Sequence, residues 1–375
     1  MSGRPDPGRR LRLGIAGCGD VAHRWYLPAL AGMADRVQLA AVFDPRLAAA
    51  ESVAAAARDW SPGVTVHTEL EGFLAGSDLD AVINLSPAPA HAAVSQPCLE
   101  AGLHVYSEKP LAATLEEADR LIETAHQHGV QLLCAPGVAA TYRFRWLAEI
   151  VASGRFGPLS LAVAHHADPG PAAWREYTGD PSVFYREGVG PLIDHGIYRL
   201  HGLTMLLGPV RRVQAMGAIG NPTRVVRAGP LTGQTIPVTT PDHVLINLEF
   251  AGGALGQLLA SFGTAATLAP WLELHFAGAT ISFSGPSWDK DAPASIYVDD
   301  DGPLGLEGWT HDLQLPPPGE PLPVVAAGVA HFVACLRGEE QPVLTAEHAR
   351  HVLDIIVKTY ASIADGASHA TETAF

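Results

Sequence analysis

Three groups of residues in this sequence combine types and spacings that can do chemistry. The first is Gly17-Cys18-Gly19-Asp20-Val21-Ala22, a G-x-G-x-x-A pattern that follows a strand-like run and precedes a helix-like one. In that setting Gly17 makes a tight turn and Gly19 lets backbone N–H groups approach a pyrophosphate. Asp20, Val21 and Ala22 open the helix, and Ala22 is small enough for close packing. Asp44 ends the next strand-like run, where a carboxylate accepts hydrogen bonds from a ribose 2′-hydroxyl and repels a 2′-phosphate. NAD is therefore the expected cofactor, and Arg46, able to pair with a phosphate, keeps NADP as the alternative.

The second group is Glu108-Lys109-Pro110. By themselves the two charges read as an exposed pair before a proline. Only Lys109, Lys290 and Lys358 are lysines among 24 cations, however, so a lysine here is mildly unexpected. A desolvated lysine beside another cation can lose its proton, whereas a guanidinium effectively cannot. The wider stretch from Ser86-Pro87 to His91, followed by Ala101-Gly102-Leu103-His104-Val105-Tyr106-Ser107-Glu108-Lys109-Pro110, resembles the Gfo/Idh/MocA oxidoreductases, whose pattern runs from T-P-x-x-x-H to A-G-K-H-V-x-x-E-K-P. The resemblance covers nearly the whole chain. It implies that Ser86, Pro87 and His91 help bind the cofactor, that Glu108 reaches the nicotinamide ribose, and that Lys109 touches the reacting substrate hydroxyl as well as the cofactor. It also implies a cis Lys109–Pro110 peptide.

The third group runs from Gly190-Pro191-Leu192-Ile193-Asp194-His195 to Tyr198. The resembling family typically reads G-G-G-x-L-x-D-x-G-x-H, with Asp and His four apart on one helix face. Here Asp194 is kept and Tyr198 stands where the histidine belongs, which is similar to a subgroup reading G-P-L-F-D-M-G-P-Y-Y. A carbinol losing hydride must also lose its hydroxyl proton, to a base within about 2.6–3.2 Å. Lys109 and Tyr198 are expected to share that acid/base work, nearby positive charge favouring the phenolate, while Asp194 orients the substrate or Lys109. His201 is a reserve candidate on the same face. His195, rotated roughly 100° from Asp194, reads as structural. Trp174, Phe184 and Tyr185 either wall a sugar pocket or pack a core.

These residues need elements to hold them. The first third of the chain alternates strands (11–16, 37–43, 81–85, 105–106, 130–134) with helices, the rhythm of a doubly wound parallel α/β sheet, giving a Rossmann NAD(P)-binding domain over 1–135. From 136 to 323 strand candidates follow one another directly, which predicts an α+β substrate and oligomerisation domain with a mostly antiparallel, open-faced sheet of five or six strands. Its apolar strand 244–250 is expected to cover a partner subunit in a homodimer or homotetramer. Prolines 316–323 form a stiff connection, and helices in 324–375 are expected to pack back between the domains.

The chain of 375 residues carries a net charge of −15, with no basic stripe, so nucleic acid is not an expected partner. No apolar run approaches about 18 residues, so no membrane span is expected. The absence of a signal-like start and the four scattered cysteines fit a cytoplasmic protein. No metal site is expected, because His165-His166, His126 with His128, and His348 with His351 lack any known ligand spacing. The functional expectation is an NAD(P)-dependent oxidoreductase acting on a secondary alcohol or ketone of a sugar, cyclitol or polyol. The alternatives are redox-neutral glycoside cleavage on the same fold and a non-catalytic nucleotide or sugar sensor.

Overall fold

The computed structural model describes residues 9–76, 78–175, 177, 179–284, 294–299, 308–313 and 322–375. The chain forms two compact units: Met1–Thr141 with Leu322–Leu353, and Tyr142–Pro321 with Asp354–Phe375.

In the first unit six strands, β1 (Leu11–Ala16), β2 (Val37–Phe43), β3 (Thr65–His67), β4 (Ala81–Asn84), β5 (His104–Ser107) and β6 (Leu132–Cys134), pair in parallel in the order β3-β2-β1-β4-β5-β6. Leu11, Leu13 and Ile15 of β1 are almost wholly buried, as are Val82 and Ile83 of β4, because crossover helices cover both faces of a parallel sheet. The helices are α1 (Leu27–Ala31), α2 (Leu47–Ala56), α3 (Leu70–Gly76), α4 (His91–Glu100) and α5 (Leu115–His128). The start of α5 is set by Thr114, whose hydroxyl accepts from Glu117 N at 3.2 Å while the Glu117 carboxylate accepts from Ala113 N at 3.0 Å. Gly129, at φ 64°, ends it. Sequence reading missed β3 and α3, since three half-exposed residues carry no clear period.

The second unit holds α6 (Tyr142–Ser153), α7 (Ile197–Leu207), β7 (Leu159–Ala167), β8 (Val210–Ala218), β9 (Thr223–Val225), β10 (Thr235–Pro237), β11 (His243–Phe250), β12 (Leu255–Ser261), β13 (Leu272–Phe276), β14 (Ala279–Phe283), β15 (Ala294–Val298), β16 (Gly308–Leu313) and β17 (His369–Ala370). Nine of these strands form one sheet, β16-β15-β14-β13-β7-β12-β11-β8-β17, and β9 and β10 form a separate ribbon. Every pairing in the large sheet is antiparallel except β12 with β7. The sheet is thus wider than the five or six strands expected. The expected use of β11 also needs correction. Val244, Ile246, Leu248 and Phe250 are at most 1% exposed and so already buried within the chain, where each contributes about 1.5–3 kcal/mol relative to exposure. Its other face shows Leu245, Asn247 and Glu249, a mixed rather than apolar row.

The C-terminal helices form no body of their own. Helix α8 (Val324–Leu336) belongs to the first unit, and α9 (Ala346–Asp365) begins in the first and ends in the second. A Cβ on Gly137 would strike the backbone of Val324 and Gly328, and one on Gly328 the Tyr106 hydroxyl, so two glycines permit the close seat of α8. The proline-rich stretch 316–321 lies outside the described residues.

Candidate active site

The strand order of the first unit reverses between β1 and β4, and the functional segments leave the sheet at its carboxyl edge there. Gly17 follows β1 with φ +98°, and a Cβ on it would lie 2.5 Å from the backbone of Leu85 and Ser86. Only glycine fits. A Cβ on Gly19 would meet nothing within 4 Å, which leaves open space over the turn where a pyrophosphate needs it. Ala22 is fully buried, Val21 is exposed, and Asp20 pairs with Arg24 at 3.3 Å. The helix from Asp20 contains a π turn, Ala22–Tyr26.

Asp44, at the end of β2, is buried. Its Oδ2 accepts from Cys18 N at 2.9 Å, which ties the glycine turn to the second strand, and its Oδ1 accepts from Arg46 N and Nε at 2.9 and 3.0 Å. Burial raises its pKa, but the Arg46 guanidinium and the two backbone N–H groups outweigh that and hold it below the usual carboxylate range. The carboxylate is therefore ionised, as a ribose-binding group must be. Arg46 is engaged with Asp44, although its side chain stays largely exposed.

Beyond β4, Asn84 is fully buried and organises the next loop. Its amide nitrogen donates to His91 O and Ser95 Oγ, both at 2.9 Å, and its oxygen accepts from Ser86 N and Oγ at 3.1 and 2.7 Å. His91 is 1% exposed, with Nδ1 2.6 Å from Pro110 O and Nε2 2.8 Å from Ser86 O. Both ring nitrogens face backbone carbonyls, so His91 ties the Ser86-Pro87 loop to the Pro110 loop. Burial pulls its pKa down, against these two carbonyls and Glu108. Glu108 follows β5. Its carboxylate accepts from the buried Tyr26 hydroxyl at 2.7 Å and from Lys109 N at 2.9 Å. The Lys109–Pro110 peptide is cis, as the resemblance implied. Lys109 is half-buried. Tyr26 and Asn84 were missed by sequence reading, and only their place on buried faces distinguishes them.

In the second unit Asp194 and His195 lie in a second π turn, Leu192–Gly196, and Tyr198 lies in the first turn of α7. The four-residue spacing expected to stack Asp194 on Tyr198 assumed regular α geometry, which the π turn alters. Gly196 lies against Leu192 and Ala260, and Ala260 pairs with His166 across β12 and β7. This close approach brings His195 onto His166, ring centroids 4.0 Å apart and 24° from parallel. Trp174, Tyr198 and Phe262 surround His195 at 5.1, 6.2 and 6.1 Å. His195, which the sequence reads as structural, is the centre of this packed group.

Trp174 walls it, whereas Tyr185 is fully buried in the core with Ala172, Val238 and Phe262, its hydroxyl accepting from Ala172 N at 3.1 Å. Of the two readings open for Tyr185 the structure thus shows core packing, and His201 is likewise buried inside α7. Arg199 locks α7 to β7 by donating from Nε to His165 O at 3.0 Å and lying 5.0 Å over the Trp271 ring.

A six-stranded parallel sheet with a glycine turn, an acidic second-strand end and space over the turn defines a dinucleotide-binding Rossmann domain, here followed by an α+β domain. Residues 11–135 match the family described as "Oxidoreductase family, NAD-binding Rossmann fold" and residues 144–282 the "GFO/IDH/MocA C-terminal domain". The chain belongs to the Gfo/Idh/MocA oxidoreductase family. It is 30% identical over 268 residues, 70% of this chain and 74% of the other, to dTDP-3,4-didehydro-2,6-dideoxy-alpha-D-glucose 3-reductase of Streptomyces violaceoruber. It is 29% identical over 303 residues, 78% of this chain and 80% of the other, to D-glucoside 3-dehydrogenase of Escherichia coli K12. The fold is also shared with the transcriptional regulator Gal80p of Kluyveromyces lactis, at TM-score 0.80 and 17% identity over 97% of this chain and 92% of that one. One architecture therefore serves enzymes and a regulator, and function must be argued from the site.

Proposed function

We propose that this protein transfers a hydride between nicotinamide and a secondary alcohol or ketone of a sugar, cyclitol or related polyol, with NAD as the preferred carrier and NADP as the alternative. The observation that supports this best is the Glu108 carboxylate, held by Tyr26 and Lys109 N at the carboxyl edge of β5, beside the loops that Asn84 and His91 clamp. Both curated relatives described above are named for redox chemistry at the 3-position of a glucose-type sugar.

When bound, the nicotinamide supplies the hydride acceptor or donor. The chain's residues do the rest. Gly17, Gly19 and the helix opened by Asp20 and Val21 receive the pyrophosphate, and Asp44 accepts from the adenosine ribose. Ser86, Pro87 and Glu108 hold the nicotinamide end. Lys109 and Tyr198 move the hydroxyl proton, and Asp194 orients the substrate. Trp174 offers an aromatic face to the sugar. We place the protein in the cytoplasm as a homodimer or homotetramer, its four cysteines being buried free thiols. No helix of the described residues is long and apolar enough to cross a membrane.

The test is to mix the protein with NAD and a polyol panel, following the absorbance of reduced nicotinamide. Wild-type turnover with a loss of about a hundredfold or more in kcat for Lys109→Met and for Tyr198→Phe is expected. Full turnover in Lys109→Met overturns its assigned role, and cleaved glycoside without net reduced nicotinamide overturns the dehydrogenase reading.

A further inference from the structure

We propose that the second unit carries a site for one divalent first-row transition cation of the zinc type, built from His166, Asp168 and His195. One ring nitrogen of each histidine and one oxygen of Asp168 lie within 4.8 Å of one another. This is the only such group of three among the described residues. A cation drawing ligands to about 2.0–2.2 Å needs only a modest closing of that triangle.

The supports are already built. Asp168 follows β7 directly, its N–H donating to Ser261 O at 3.1 Å and its own carbonyl accepting from Thr264 N at 3.2 Å. Its Oδ1 accepts from Gly170 N at 2.7 Å, which fixes the carboxylate with Oδ2 3.3 Å from His166 Nε2. His166 shares the buried face of β7 with Ala162 and Ala164, and the small pair Gly196 and Ala260 sets His195 against it. The two imidazoles stack with centroids 4.0 Å apart and 24° from parallel, so binding one ion requires the rings to tilt apart and turn one nitrogen each toward it. Asp194 Oδ2, 3.3 Å from His195 Nδ1, adds a second carboxylate to the cluster. Phe262 and Thr264, which adjoin the cluster, also line a neighbouring cavity of about 390 Å³.

Two imidazoles and one carboxylate match zinc or another borderline cation better than calcium or magnesium, which prefer all-oxygen sets. Three protein ligands leave a coordination position for an oxygen ligand. None of the three carries a role in the hydride-transfer reading, and Asp194, which does, lies beside the site without being one of its three ligands.

The test uses the full chain after chelation and dialysis. Cobalt(II) is titrated in and the visible d–d absorption recorded, with zinc stoichiometry measured by elemental analysis. One equivalent with a tetrahedral or five-coordinate spectrum is expected. Asp168→Asn and His195→Gln, each checked for folding by circular dichroism, should weaken binding more than about a hundredfold, beyond what loss of an outer partner costs. In a control, His369→Gln, outside the cluster, should leave binding unchanged. Substoichiometric zinc and no cobalt spectrum in the wild type overturn the proposal whatever the variants do, as does wild-type affinity in both folded variants.

Discussion

The most consequential residue contacts lie around one carboxylate. Glu108 is held by the hydroxyl of Tyr26, a side chain 82 positions earlier, and by its neighbour's backbone N–H. A hydrogen bond to a charged group contributes about 1.5–3 kcal/mol, more than a neutral pair does. Tyr26→Phe should therefore lower the unfolding free energy by about that amount. It should also raise the dinucleotide KM more than it lowers kcat, because Tyr26 positions Glu108 without touching the reacting atoms. Urea unfolding with steady-state kinetics checks both, and an unchanged KM would limit Tyr26 to packing. Glu108 and Lys109 were legible in the sequence because a local motif encloses them. Tyr26 was not, because nothing in sequence marks which tyrosine of a helix faces a loop so far along the chain.

At the scale of elements, two π turns carry much of the candidate site, one after the glycine turn and one at Asp194 and His195. An α-helical reading places side chains by the 3.6-residue period, and one extra residue in a turn re-aims those around it. That is why the regular period turns His195 away from the Asp194 face. The strand ends tell a similar story: His166 and Asp168 stand two apart at the end of β7, on one side by the period of two, a signal that ligand-spacing rules for helices and loops do not include.

Helix α9 supplies a pH dependence. Burial, with the neighbouring His351, pulls the His348 pKa from 6.5 to about 4. Between those values the unfolded chain binds a proton that the folded chain refuses, so stability falls as pH drops through that window. Thermal unfolding of wild type and His348→Leu at about pH 7 and about pH 5 should show a smaller loss in the variant. Equal losses would remove His348 as the cause.

At the scale of the whole molecule, the open face of the large sheet bears Met216, Leu245 and Leu255, 75%, 50% and 55% exposed, among Arg211, Arg212 and Glu249. This mixed surface, rather than the buried row of β11, is where self-association is expected. Light scattering at micromolar concentration should report a dimer or tetramer, and Met216→Glu combined with Leu245→Glu should shift it toward monomer. A wild-type monomer would end that expectation.

The sequence by itself determined the parallel first sheet, the antiparallel character of the second, the glycine turn, Asp44 and the Glu108-Lys109-Pro110 segment. Each depends on neighbours within a few residues: hydrophobic period, a backbone angle only glycine tolerates, or a contiguous motif. Only the tertiary structure decided that His91 clamps two loops, that Tyr26 and Asn84 hold the site, that Tyr185 is core, and that His166, Asp168 and His195 meet. Those outcomes depend on which strand pairs with which and how closely a helix can approach. A glycine opposite an alanine sets that approach, and no local spacing records the pair.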